Sequence, residues 1–181
     1  MNIIQAIKDD RLFKPFLGDL RTWNRWQIAL RALYGLPIKR PANRKLIREC
    51  TGRTSLPADG FDSALFVTGR RSGKSRVAAI VGAYEASLSG KEKRLAKGEL
   101  GMVVVVSPTK LQSQIVKSYL RGIYDTPLLS QEIIQEDKEG FQLRNGVRIQ
   151  ILTGDFRAVR GFTLLAAVVD EAAFHTSPSA I

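Results

Sequence analysis

The chain has one cysteine, Cys50, in 181 residues. That excludes an internal disulfide framework and any cysteine-rich metal site. No apolar run approaches the roughly 20 residues that span a bilayer. The start of the chain carries Lys8, Asp9, Asp10 and Arg11 in place of an apolar signal segment. No membrane partner is expected, and an intracellular protein is the natural reading. Acidic residues are also scarce, with 17 Asp and Glu against 28 Lys and Arg, a net charge of +11. The deficit is uneven. Residues 1–53 hold 12 basic and 4 acidic side chains, a net +8, and residues 54–181 hold 16 and 13, a net +3. A basic segment of this kind suits nucleic acid, although a solvated basic surface gives the same count. The 44% hydrophobic content is enough for one globular core.

The most informative stretch is Val67-Thr68-Gly69-Arg70-Arg71-Ser72-Gly73-Lys74-Ser75. The apolar Ala64-Leu65-Phe66-Val67 precedes it, and Leu65 to Thr68 is expected as the first core strand. Residues 74–89 follow as a helix. Strand, glycine-bearing loop, Gly-Lys-Ser and helix is the layout of a phosphate-binding loop. The chemistry asks for these residue types. Backbone N–H groups at a helix start converge on an anion, and the helix dipole favours it. Gly73 allows close approach of the backbone, Lys74 reaches the β- and γ-phosphates, and the Ser75 hydroxyl can ligate Mg²⁺. Arg70, Arg71 and Ser72 complete the candidate contacts to a nucleotide. The match is degenerate in one place, because Thr68 stands where the general pattern has its first glycine.

Upstream, Thr22 to Leu36 reads as an amphipathic helix through Trp23, Trp26, Ile28, Leu30, Leu33 and Tyr34, with Asp19 or Thr22 available as its cap. Trp26-Gln27 fits two descriptions, an adenine-holding aromatic and glutamine or a core tryptophan beside a surface glutamine. Ala42 to Cys50 is a short helix. The basic helical region is expected over 1–58 and the nucleotide-binding core over 59–181.

Downstream, Met102 to Ser107 is an apolar β-branched run between Gly101 and Pro108, the pattern of a buried parallel strand. A helix is expected over 108–124 with Leu111, Ile115, Tyr119 and Leu120 on one side. Residues 125–139 read as a short helix and loop. Alternation on either side of Asn145-Gly146 signals a β-hairpin near 141–152. Leu164 to Val169 is an apolar strand that ends in Asp170-Glu171. Open α/β sheets bind ligands at such strand tips. There Asp170 would hold Mg²⁺ through a water, and Glu171 would act as general base on the attacking water. The expected fold class is α/β, a P-loop NTPase with a mainly parallel sheet flanked by helices. The ligands are ATP or GTP with Mg²⁺.

These residues resemble the ATPase domain of the large terminase subunit of tailed bacteriophages. The resemblance runs from about Arg21 onward. It is carried by Trp23, Trp26-Gln27, Cys50-Thr51-Gly52-Arg53, the loop 67–75 with its early arginine, Asn145-Gly146-Val147, and Val159-Arg160-Gly161 followed by Val168 to Phe174. It implies an ASCE-type ATPase that assembles as a ring, usually a pentamer, with the portal protein and the small terminase subunit. Such a ring drives double-stranded viral DNA into a procapsid, in the host cytoplasm. It also implies that Lys74 and Ser75 carry the phosphate and Mg²⁺ roles, that Arg70 contacts the γ-phosphate, and that Arg160 is a finger offered to a neighbouring subunit's ATP. Arg160 also fits a loop arginine on DNA or solvent. Gln27 matches the adenine-side glutamine loosely. The family's cores continue with a coupling strand and a nuclease domain beyond the point matching Ile181, so no nuclease activity is expected of this chain. Two rivals are a helicase-like ATPase and a fragment that binds nucleotide or DNA without hydrolysis. Against the first, Asp170-Glu171 continues as Ala172-Ala173, and His175 falls one place late for a helicase motif.

Overall fold

Four consecutive valines, Val103 to Val106, form the middle of the sheet. A computed structural model describes residues 1–153 and 161–174. β1 (Gly101–Ser107) is buried along its whole length, as a β-branched run covered on both faces should be. It pairs in parallel with β4 (Arg148–Thr153) on one side and with β5 (Thr163–Val169) on the other. β2 (Ile133–Asp137) and β3 (Gly140–Leu143) complete the order β2-β3-β4-β1-β5.

The sheet is mixed, not mainly parallel. β2 with β3 and β3 with β4 are antiparallel. Their connections are too short for anything else, since parallel strands need a long crossover. The hairpin expected around Asn145-Gly146 is present as β3 and β4. Asn145 fixes its tip by donating from Nδ2 to the Ala86 carbonyl at 2.8 Å. Residues 133–137, expected within a helix and loop, are instead the edge strand β2. Its charged side is solvated and balanced: Glu136 lies 3.0 Å from Lys117, and Asp137 lies 2.8 Å from Arg148.

Leu65 to Thr68 is not a strand of this sheet. β1 has both neighbours already, and β5 is the last strand on that side. Unpaired among the described residues, Leu65 is 78% and Val67 90% exposed. Phe66 alone finds cover, with its ring centroid 5.6 Å from that of Trp26.

Helix α5 (Lys74–Ser87) is apolar around most of its circumference: Val77, Ala79, Ile80, Ala83 and Tyr84 are all buried. Such a helix belongs inside a core. It packs on β1 and β5, and beside α6 (Lys110–Tyr124). The buried residues of α6 are Val116, Leu120, Ile123 and Tyr124. Leu111 and Ile115, expected on the packed side, are exposed.

The N-terminal helices α1 (Ile3–Lys8), α2 (Lys14–Leu17) and α3 (Asn24–Leu33) join the same core through Ile3, Ile7, Phe13, Leu17 and Leu30. The apolar core thus runs continuously across the boundary expected near residue 58. α3 begins without a side-chain cap. Asp19 and Thr22 are used in the preceding turn: Asp19 accepts from Arg21, and the Thr22 hydroxyl donates to the Asp19 carbonyl at 2.7 Å. The outer side of α3 meets α4 (Pro41–Thr51) in a small satellite cluster of Ile28, Ala32 and Ile47. Among the described residues no helix is long and apolar enough to cross a membrane.

Candidate functional site

Lys74, from the loop expected to bind phosphate, and Glu171, from the acidic pair, meet beyond the tip of β5. β5 ends at Val169, and the Asp170 N–H donates to the Val106 carbonyl at 2.8 Å. That bond extends the β1–β5 ladder by one residue and fixes the acidic pair at the strand tip. Asp170 is buried. Glu171 then turns with φ of 53°, in the left-handed region. A non-glycine residue is held there at a cost of about 1–2 kcal/mol. Its side chain supplies the reason: Glu171 Oε1 lies 3.1 Å from Lys74 Nζ, at the start of α5. Two segments 97 residues apart in the chain therefore meet through their chemistry-bearing atoms.

A third group, which sequence reasoning missed, completes this contact. Gln112 on α6 donates from Nε2 to Glu171 Oε2 at 2.8 Å. Its own carbonyl accepts from the Thr109 hydroxyl at 3.1 Å, and its backbone N–H donates to that hydroxyl at 3.2 Å. Thr109-x-x-Gln112 is a capping-box pattern. Read as such immediately after β1, it would have placed Gln112 at the sheet tips. The three partners act on the Glu171 carboxyl as expected. The hydrogen bond from Lys74 holds it below the ordinary glutamate value of 4.5. Gln112 and the nearby charge of Arg70 act in the same direction, and partial burial opposes them. Glu171 is thus a carboxylate at neutral pH, clamped between α5 and α6.

The loop itself is braced by α3. Trp26 Nε1 donates to the Ser72 carbonyl at 2.7 Å. Gly73 has φ of 83°, and a Cβ there would stand 2.6 Å from the Trp23 ring, so only glycine fits. Arg76 stacks its guanidinium over the rings of Phe16 and Trp23, at 4.7 and 5.1 Å, and donates to the Phe16 carbonyl. Tryptophans that read as either adenine-side or core residues therefore serve as the backing of the loop. Gln27 is turned elsewhere and donates to the Leu20 carbonyl at 3.0 Å.

The remaining expected residues fall as follows. Arg70 and Arg71 are exposed in the loop, with Arg71 at φ of 59°. Ser75 is half-buried in the first turn of α5, and Asp170 lies next to Glu171. Arg160 lies outside the described residues.

The fit to a bound triphosphate and Mg²⁺ rests on two observations. The hydroxyls of Thr68 and Ser72 in the loop, and of Ser107 at the tip of β1, are buried and have no hydrogen-bond partner among the described residues. Buried hydroxyls in native proteins are rarely left so. In addition, no cluster of three His, Cys, Asp or Glu occurs among the described residues. Mg²⁺ is normally held by one or two protein ligands, water and substrate phosphate, and Ser75 with Asp170 is a set of that size. No protein-family model matches the chain, and neither the curated proteins nor the solved structures provide a significant match.

Proposed function

We propose that the chain is the ATP-hydrolysing P-loop domain, of ASCE type, of a DNA-packaging motor of the terminase large-subunit kind. The observation that carries this reading is the 3.1 Å contact between Lys74 and Glu171 at the tips of the sheet. A phosphate-binding lysine and an acid able to polarise water must sit on opposite sides of one transferring phosphoryl group. Here the two are in direct contact, so a phosphoryl group bound by Lys74 would take the place of the Glu171 carboxylate and leave that acid beside it.

The residues divide the work. Backbone N–H groups at the start of α5, with Lys74 and Arg70, take the charge of the β- and γ-phosphates. Ser75 and Asp170 hold Mg²⁺, which when bound neutralises phosphate charge and lowers the barrier to its transfer. Arrival of phosphate draws Lys74 away from Glu171. The released carboxylate, still held by Gln112, accepts a proton from the attacking water. The water oxygen bonds to the γ-phosphorus as the bond to the β-bridging oxygen breaks, leaving ADP and inorganic phosphate. Ring assembly on a portal, a small terminase partner and double-stranded DNA as cargo belong to the same proposal, and Arg160 would be the group offered to a neighbouring subunit.

One observation favours a second reading, a module that binds nucleotide without turnover. Leu65 to Thr68 pairs with no strand among the described residues, so within them the loop is buttressed from α3 and α5 but not from the sheet. Phosphate release from the 181-residue chain with Mg-ATP, alone and with duplex DNA, decides between them. Glu171→Gln should keep ATP binding within about threefold and lose at least ~100-fold in turnover. Hydrolysis at the parent rate by that variant removes Glu171 as the base. Binding without any turnover in the parent leaves the second reading.

A further inference from the structure

Away from the phosphate loop, the outer side of α3 and α4 forms a cavity of about 470 Å³ whose lining includes Arg31, Arg44, Arg48, Arg53, Thr54 and Ser55. Four guanidinium groups around one concavity repel each other, and proteins normally offset such a set with acids. Here, among the described residues, none of the four makes an ion pair. Glu49, the one acid of α4, is 3.8 Å from Lys45 instead.

The arrangement is held in place. Arg31 donates to the Pro37 carbonyl at 3.1 Å, and Arg44 donates to the Ile38 and Lys39 carbonyls at 3.3 and 2.8 Å. Arg53 lies over the Phe61 ring at 5.2 Å. The segment bearing Thr54 to Ala58 is locked against the end of α3 by two glycines. A Cβ on Gly35 would stand 2.2 Å from the Ala58 carbonyl oxygen, and one on Gly60 would stand 2.4 Å from that of Leu33. Each pinned guanidinium retains further N–H donors, since arginine has five in a fixed fork.

We propose that this face is a second anion site, which takes the phosphodiester backbone of nucleic acid. Guanidinium forks match phosphate oxygens, and paired N–H donors give geometry as well as charge. A backbone, not a lone phosphate compound, is indicated by the shape of the charged surface. Arg44 and Arg48 line the cavity and also a neighbouring depression bounded by Pro41, Ala42 and Lys45. The charge therefore runs as a strip along α4, with Lys39 and Arg40 exposed at its beginning. No part of this argument uses nucleotide binding or hydrolysis, so it can succeed where the reading above fails, and the reverse.

The test is fluorescence anisotropy of labelled duplex and single-stranded oligonucleotides against the full chain over a series of salt concentrations. Binding should weaken linearly in log affinity with log salt, by about 0.9 per phosphate contact on a duplex and about 0.7 on a single strand, and the two slopes identify the preferred form. The triple variant Arg44→Gln/Arg48→Gln/Arg53→Gln should flatten the slope by about three and weaken low-salt binding by ~thirtyfold. A charge-matched control, Lys93→Gln/Arg94→Gln/Lys97→Gln, removes three exposed cations elsewhere and should change the slope by less than about one. If the triple variant does not fold, Arg48→Gln alone, which disturbs no hydrogen bond of the Arg48 side chain, should flatten the slope by about one. Equal losses in the two triple variants overturn the proposal. So does a parent chain that binds neither oligonucleotide, or displacement of the oligonucleotide by tripolyphosphate at equal phosphate concentration.

Discussion

At the start of α5 the cation Lys74 stands 3.1 Å from the Glu171 carboxylate, while on α4 Arg44 and Arg48 face no carboxylate among the described residues. The difference decides what each place can do. At the loop an anion that pairs with Lys74 has to displace the Glu171 carboxylate, so on the proposed reading binding there is coupled to the release of that acid. On α4 nothing has to be displaced. Its attraction is always present, long in range, and weakened by salt within a Debye length of about 8–10 Å. α3 lies between the two. Trp23 at its start and Trp26 within it back the loop before α5, while Ile28 and Ala32 support α4. One compensated and one uncompensated charge cluster are thus mounted on the same short helix.

The largest effect that can break this comparison comes from Lys74→Ala. It removes charge-assisted bonds to phosphate, each contributing about 1.5–3 kcal/mol. Affinity for Mg-ATP by titration calorimetry should fall by at least ~100-fold. Oligonucleotide affinity should change by less than about twofold, because Lys74 lines neither depression of the arginine face and salt screens charges that are not in contact. If both affinities fell together, the two clusters would be a single site.

Gly73→Ala tests the frame of the first cluster. The substitution forces a left-handed backbone on alanine, at about 1–2 kcal/mol, and drives a methyl group into the Trp23 ring. A total near ~3 kcal/mol corresponds to a melting temperature lower by ~6–12 °C for a chain of this size. ATP binding should weaken with it. The oligonucleotide slope should be unaltered below the melting transition, because the satellite cluster under α4 lies outside the main core.

The residues that could be read directly were those whose chemistry is local. β1 announced itself through four valines between glycine and proline, and the β3–β4 hairpin through Asn145-Gly146. The approach of Lys74 to Glu171 could be anticipated because a Gly-Lys-Ser helix start and an acidic pair after a strand belong to one layout, even though the strand expected before the loop is absent. What the sequence concealed depended on neighbours. Leu65 to Thr68 has the composition of a strand, but β1 takes β4 and β5 as its two neighbours instead, and which segment wins a ladder edge is decided by the other segments. Ile133 to Asp137 is charged enough to read as a loop, yet an antiparallel partner in β3 and cations on α6 make it an edge strand. Gln27 looked like a ligand residue because of its position next to Trp26. The helix turns it toward the Leu20 carbonyl, and leaves the loop contact to the indole. The four arginines of α3, α4 and Arg53 were visible as charge. Their lack of acid partners was not, since pairing is a property of space and not of counting.

The smallest expected effect sharpens the contrast most. Gln112→Leu keeps shape and removes one donor from Glu171. In the parent, the depressed carboxyl value means that the Lys74–Glu171 contribution is complete above the ordinary value of 4.5 and is lost only as pH falls through the lower folded value. With Gln112 gone, that window should move upward toward the ordinary value, because Lys74 and Arg70 remain but one hydrogen bond to the charged form is absent. Carbon-13 titration of the Glu171 carboxyl, assigned by its loss in Glu171→Gln, reads the shift directly, and melting temperature against pH reads its consequence. Oligonucleotide binding should be the same in variant and parent across this pH range, since guanidinium groups do not titrate there and Gln112 touches none of them. An unmoved Glu171 midpoint would mean that Lys74 and Arg70 set the carboxylate without Gln112, and α6 would then have no hold on the acid that compensates Lys74.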